Sequence, residues 1–152
     1  MLAVRFYDVV LWAHISAVLV AFGVIFAYPV MVAFVQRQPI AERAAFHRMQ
    51  GEVGQKVISS GILATIVFGA YLASDAGLWG EPWVVVPLVI AVALGALGGL
   101  FFKPKEERLA ETATAGDEAG YAKALRSWKL GQYSGMVLVL VAVYFMTAKP
   151  FA

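Results

Sequence analysis

Four long apolar stretches alternate with shorter polar ones along the chain. They cover residues 9–35, 57–74, 83–102 and 130–148. About 20 apolar residues in a helix cross the hydrocarbon core of a bilayer, so each stretch is close to or above the length of a membrane span. The part from Leu11 to Val35 contains no Asp, Glu, Lys or Arg. The pattern therefore predicts four transmembrane helices.

Two polar stretches separate the first span from the second and the third from the fourth. Residues 36–56 have an Ala-rich centre that can continue the flanking helices, and His47 is expected to be exposed there among charged side chains. Residues 103–129 are expected to form two amphipathic pieces at the membrane surface, joined by a turn at TAGDEAG. Tyr121 and Trp128 suit contact with an anionic leaflet, beside Lys123, Arg126 and Lys129.

The composition agrees with a membrane protein. Hydrophobic residues make up 61% of the 152 residues and charged residues only 14%, and the mean hydropathy is +0.76. This leaves too little polar surface to cover a soluble domain. The chain has no cysteine, which excludes disulfides, thiolate catalysis and Cys-ligated metal clusters. We therefore expect an all-α, single-domain integral membrane protein whose surroundings are the lipid bilayer.

The basic residues predict the orientation in the membrane. Four of them lie in the first polar stretch and six in the second, whereas Arg5 and Lys149 stand near the two ends of the chain. Cytoplasmic loops carry an excess of Lys and Arg, so both termini are expected outside the cytoplasm. Short connections favour an antiparallel four-helix bundle. The net charge of +2 is accounted for by these loops, and no nucleic acid partner is expected.

Small residues predict where the helices approach one another. In the second span, Gly61, Thr65, Gly69 and Ala73 recur every four residues and form one smooth face. The third span repeats the pattern with Ala91, Gly95 and Gly99. These faces predict close helix packing within the bundle, within a homo-oligomer or against other subunits of a larger membrane complex.

His14 is the candidate functional residue, because ionisable side chains inside a span are costly to bury and usually have a role. Three interpretations remain open: a hydrogen bond to a neighbouring helix, an axial ligand to haem, or a copper or proton site. Helix depth places Tyr71, Tyr144 and Met146 at a depth similar to that of His14 or shallower, so these side chains are candidate partners or further ligands. A second copy of His14 could also supply the second haem ligand.

The chain resembles a superfamily of small bacterial four-helix membrane proteins. The resemblance rests on a histidine early in the first span, the run QR…FHRMQ…VISSGILATIVFGAYL and the terminal KPF. The superfamily includes a group of predicted integral membrane proteins without assigned function and, more distantly, the haem-containing protoporphyrinogen oxidase. The copper-resistance D-type domain also looks similar. The resemblance implies a bacterial inner-membrane protein that binds haem b or a porphyrin through a first-span histidine, which His14 matches.

One departure from the oxidase family bears on activity. That family pairs its first-span histidine with a third-span lysine, whereas the third span here has no lysine before Lys103 and has Pro87 near the expected position. This departure counts against the oxidase reaction and leaves haem or porphyrin association as the leading expectation. The alternative is a non-catalytic accessory subunit of a larger membrane complex. A small transporter is less favoured, since no pair of charged residues lies inside the spans.

Overall fold

The computed structural model describes residues 5–151, and within them it contains helices and turns without strands. Four long helices follow one another along the chain. They are α1 (Phe6–Val35), α2 (Ile40–Asp75), α3 (Pro82–Thr114) and α4 (Glu118–Ala148). Each is long and apolar enough to cross a membrane. The prediction of an all-α integral membrane bundle with four spans is therefore confirmed, and the four predicted apolar stretches lie within these helices.

The turns follow from the residues at the helix ends. Gly77 and Gly116 adopt positive φ angles of 68° and 70°, which glycine reaches without the steric cost of a Cβ atom. Pro82 begins α3, where its missing N–H is not needed. At the start of α4 the side chain of Asp117 accepts a hydrogen bond of 2.9 Å from the Gly120 N–H, a standard N-cap. The turn predicted at TAGDEAG is thus present at residues 115–117.

Consecutive helices pack side by side, and α1 also contacts α4, so the bundle closes into a ring. Each helix runs antiparallel to the one before, so alternate turns lie at opposite ends of the bundle. One end, called here the basic end, carries the turns at 36–39 and 115–117. The other end carries the turn at 76–81 and both ends of the described chain.

Two helices are interrupted at the same level of the bundle by a π-helical turn. In α2 the turn Gly54–Ile58 separates the α-helical segments Ile40–Val53 and Ser59–Asp75. In α3 the turn Gly98–Phe102 precedes the α-helical segment Lys103–Thr114. The two turns contact each other. They divide the bundle into an apolar half and a half at the basic end.

Each half has its own core. In the apolar half the core consists of the buried side chains Ala21, Ile62, Leu94 and Val139. In the basic half it is larger and contains aromatic residues, comprising Tyr28, Val32, Ala44, Leu109, Ala113, Tyr121, Ala124, Leu125 and Trp128. The outer surface of the apolar half is itself apolar, with exposed side chains such as Leu19, Val89 and Val137. This is the surface that a protein in lipid presents.

The structure corrects the interpretation of the polar segment 103–129. The segment's two helical pieces continue α3 and α4; the piece in α3 packs along Ile40–Val53, and α4 packs against the piece in α3. Tyr121 and Trp128 are 2% and 1% exposed, so the expectation that they face the lipid leaflet is wrong. Both pieces are amphipathic, as expected, but their apolar faces cover one another inside the bundle.

The small-residue faces are confirmed in part. Gly61, Thr65 and Ala73 are buried in α2, and Ala91 is buried in α3. Gly99 is exposed, however, and a Cβ atom placed on it would meet no other atom within 4 Å. Packing in the third span therefore does not extend to Gly99, which lies in the π-helical turn where the face of α3 changes direction.

Candidate functional site

His14 lies in the third turn of α1 and is half-buried against α2. Its Nδ1 atom is 3.0 Å from the backbone oxygen of Thr65. A carbonyl oxygen can only accept, so Nδ1 carries the hydrogen and donates it. In the neutral imidazole this leaves Nε2 with its lone pair unprotonated. Histidines that bind metals commonly have this arrangement, with one nitrogen held by a carbonyl and the other facing the ligand.

The position of the imidazole depends on two glycines of α2. A Cβ atom on Gly69 would lie 3.0 Å from Cε1 of His14 and 3.3 Å from Nδ1. A Cβ atom on Gly61 would lie 2.8 Å from the Cβ atom of Ala21. All three distances are shorter than ordinary contacts, which are about 3.5–4.0 Å between carbon atoms. The smooth face of α2 therefore lets α1 come close enough for His14 to reach the Thr65 carbonyl.

The other predicted site residues have different neighbours. Tyr71 is 39% exposed, and its ring packs edge-on against Phe6 with centroids 5.5 Å apart. Tyr144 is 57% exposed, and Met146 is half-buried near the end of α4. Among the hydrogen bonds of residues 5–151, none joins His14 to these three side chains. Their role as further ligands stays a prediction.

A buried polar cluster that the sequence pattern did not predict lies at the basic end. His47 is 1% exposed, so the expectation of a solvent-exposed loop histidine is wrong. Its Nδ1 atom donates to Oε1 of Gln50 at 3.0 Å, and its Nε2 atom accepts from the hydroxyl of Tyr121 at 2.9 Å. The guanidinium of Arg43 lies 5.1 Å from the centre of the Tyr121 ring. Burial lowers the pKa of His47, and the positive charge of Arg43 lowers it further.

A second buried polar group, Glu106, lies beside this cluster. Its side chain is 6% exposed, and Oε1 accepts a hydrogen bond of 3.4 Å from Nε1 of Trp128. Glu106 belongs to the polar segment of α3, beyond the predicted span, and burial raises its pKa to about 7. It borders a cavity of about 60 Å³ between the helices. The glycines Gly51 and Gly54 face its other oxygen, Oε2, at 3.7 and 3.8 Å from the position of an added Cβ.

The spacing of polar residues contained a signal for this region. Ala44, His47 and Gln50 recur every three residues, and Gly51 and Gly54 continue the same side of the helix. Residues three and four apart share one face of a helix, so this spacing predicts a common buried face. The average hydropathy of the segment does not indicate this buried face, because the opposite face of the helix is strongly polar.

The described part of the chain contains no group of three or more His, Cys, Asp or Glu side chains able to hold a metal ion. Comparison of the chain with models of known families, with curated proteins and with solved structures finds no match.

Proposed function

We propose that this chain is a haem- or porphyrin-associated membrane protein in which His14 supplies an axial ligand through Nε2. The observation that supports this function best is the hydrogen bond from Nδ1 to the Thr65 carbonyl. It holds the ring in the tautomer that a metal requires and fixes its orientation. Haem b fits this donor set, because four pyrrole nitrogens are supplied by the cofactor and the protein needs to add only an imidazole.

The surroundings of His14 are compatible with a large apolar ligand. His14 is only half-buried, and Leu11, one turn earlier on the same side of α1, is 37% exposed, so part of the α1 surface beside His14 is apolar and uncovered. The second axial position is then proposed to belong to His14 of a second copy, or to stay open. This proposal implies a homo-oligomer in the first case and a five-coordinate iron in the second.

The proposed location is the bacterial inner membrane, with both termini outside the cytoplasm. Support for this orientation comes from the ten basic residues that the sequence places in the two polar stretches, since positive charge is retained on the cytoplasmic side. Support for the bacterial location comes from the resemblance to small four-helix membrane proteins. The oxidase reaction is not proposed, because Lys103 is exposed and lies at the start of the polar segment of α3.

Visible spectroscopy tests the proposal directly. The protein would be purified in mild detergent from cells well supplied with haem, and spectra recorded in the oxidised and the dithionite-reduced state. We expect a Soret band that shifts on reduction in the wild type and is lost in His14→Ala. His47→Gln, a change of the other histidine, is expected to keep the band. Adding imidazole to His14→Gly is expected to restore it, since free imidazole can occupy the vacated position.

Two results would overturn the proposal. A colourless wild type would remove haem as the ligand, and a band of full intensity in His14→Ala would remove His14 as the residue that holds it. Copurification of a colourless wild type with a larger membrane complex would instead favour the accessory-subunit hypothesis. The exposed glycine Gly99, with open space around it, is one place where a helix of another subunit can approach closely.

A further inference from the structure

The cavity beside Glu106 lies at the level of the two π-helical turns and is lined by all four helices. Its walls include Tyr28 of α1, Gly54 of α2, Gly98 of α3 and Gln132 of α4. π-helical turns are rare, and where they occur they are often found at functional sites. Gly51 and Gly54 leave room beside the carboxyl group of Glu106, because a Cβ atom on either would lie within 4 Å of Oε2.

The carboxyl group of Glu106 faces no positive charge in this region. None of the salt bridges among residues 5–151 involves it. The groups that face it are the Tyr28 hydroxyl from α1, Gly51 and Gly54 from α2, and Trp128 from α4. An isolated carboxylate is costly to bury. The side chain must therefore either keep a proton or share the cavity with a cation.

The hydrogen-bond pattern of the walls favours a cationic occupant. Gln132 uses Nε2 to donate to the backbone oxygen of Ile25 at 2.6 Å. Ser59 donates its hydroxyl hydrogen to the backbone oxygen of Gly54 at 3.0 Å. Tyr28 donates its hydroxyl hydrogen to the backbone oxygen of Gln50, and Gln55, which also borders the cavity, is exposed. The buried side-chain atoms left for an occupant include two oxygen acceptors, Oε2 of Glu106 and Oε1 of Gln132. Acceptor oxygens bind cations and hydrogen-bond donors but repel anions.

The size of the cavity limits the occupant. A volume of about 60 Å³ accommodates several particles of water size, since roughly 10–15 Å³ of such a volume holds one water, but it is too small for a large organic cation. One carboxylate neutralises one positive charge. We propose that the cavity binds one small monovalent cation, of alkali-metal or ammonium type, with Glu106 as its carboxylate ligand and Gln132 as a second oxygen ligand. The proposal is independent of haem binding at His14.

Proton competition follows from the same geometry. When Glu106 holds a proton, its charge is gone and the cation loses its main ligand. Below the pKa of Glu106, the apparent dissociation constant of the cation should therefore rise about tenfold for each unit of pH. Above that pKa it should be constant.

Thermal unfolding of the purified full-length protein in detergent tests the site. Sodium, potassium and ammonium chloride are titrated separately at about pH 8.5, above the pKa of Glu106. N-methylglucamine chloride at equal ionic strength is the control, because this cation is too large for the cavity. At least one small cation should raise Tm along a saturation curve. The rise should be lost in Glu106→Gln and kept in Glu107→Gln, an exposed neighbour on the same helix.

A second variant and a second measurement test the site even if Glu106→Gln does not fold. Gly51→Ala adds a methyl group 3.7 Å from Oε2 of Glu106, an ordinary contact that occupies space without a clash. It should raise the dissociation constant of the cation at least tenfold. Infrared difference spectra near the pKa should show that adding the cation removes the band of a protonated carboxyl group in the wild type and in Glu107→Gln.

The proposal is overturned if N-methylglucamine raises Tm as much as the small cations do. It is also overturned if Glu106→Gln keeps the full response, or if the infrared band is unchanged by saturating cation. In the last case Glu106 is a permanently protonated hydrogen-bond donor, and the cavity contains water.

Discussion

Replacing Gly61 by alanine should separate α1 from α2 and weaken the bundle. The new Cβ atom would lie 2.8 Å from Cβ of Ala21, 3.0 Å from its Cα atom and 3.1 Å from its backbone nitrogen. Two of these three atoms belong to the backbone, and Ala21 is fully buried. No rotation of a flexible side chain can relieve the overlap, so the helices themselves must move.

The magnitude follows from two opposing effects. Carbon atoms in contact are normally about 3.5–4.0 Å apart, so the helices must separate by roughly 0.7 Å at this point. Overpacking of this kind costs about 1–3 kcal/mol. Alanine also gains up to about 1 kcal/mol over glycine in helix propensity. Gly23→Ala gains the same propensity without the overlap, because a Cβ atom at Gly23 meets nothing within 4 Å.

The measurement is the free energy of unfolding in mixed detergent micelles, compared between the two variants. We expect Gly61→Ala to be less stable than Gly23→Ala by about 1–3 kcal/mol, the cost of the overlap alone. If both variants unfold with the same free energy, the close contact at Ala21 does not hold α1 against α2. The explanation of how His14 reaches Thr65 would then also fail.

Three further predictions concern the basic end. Tyr121→Phe leaves Nε2 of His47 buried without its donor and should cost about 1–3 kcal/mol of unfolding free energy, whereas Tyr133→Phe, at an exposed position, should cost little. The pKa of Glu106 is raised from 4.5 to about 7 in the folded state. The unfolding free energy measured without small cations should therefore fall by up to about 3 kcal/mol as pH rises between these two values. The fall should be absent in Glu106→Gln; if this variant still shows it, another group is responsible. The pKa of His47 is lowered from 6.5 in the folded state. Its contribution to the unfolding free energy is therefore present above pH 6.5 and is lost as pH falls, because the unfolded chain takes up the proton first. In His47→Gln the unfolding free energy should depend less on pH in the acid range, and an unchanged dependence would contradict this.

The sequence predicted the apolar half better than the basic half, for a physical reason. Inside the spans, unbroken apolar composition and the four-residue recurrence of Gly61, Thr65 and Gly69 were sufficient to predict helices and a packing face. His14 was selected as the candidate residue because a titratable side chain is conspicuous in an apolar stretch, and its functional role stays a prediction. Its partner was not predicted, since the Thr65 backbone oxygen depends on helix rotation, and every residue has such an oxygen.

In the basic half the polar residues hid the buried ones. His47, Glu106 and Trp128 stand among charged side chains, so average hydropathy assigns them to solvent. The helical phase places them on inward faces, where three amphipathic helical segments pack against one another and against the apolar end of α1. Predicting this required knowing that the helices continue past the spans as one bundle, which local composition does not reveal.

The π-helical turns at Gly54–Ile58 and Gly98–Phe102 shift the helical phase, so each helix can present a different face to the interior in the two halves of the bundle. A π-helical turn accommodates one residue more than an α-helical turn needs, and one residue corresponds to about 100° of rotation around the helix axis. Deleting a single residue within Gly54–Ile58 would restore a regular helix while turning His47 away from Tyr121 by about that angle. One additional residue in each of these two turns thus lets the same helix direct its polar residues inward in the basic half and its small apolar residues inward in the apolar half.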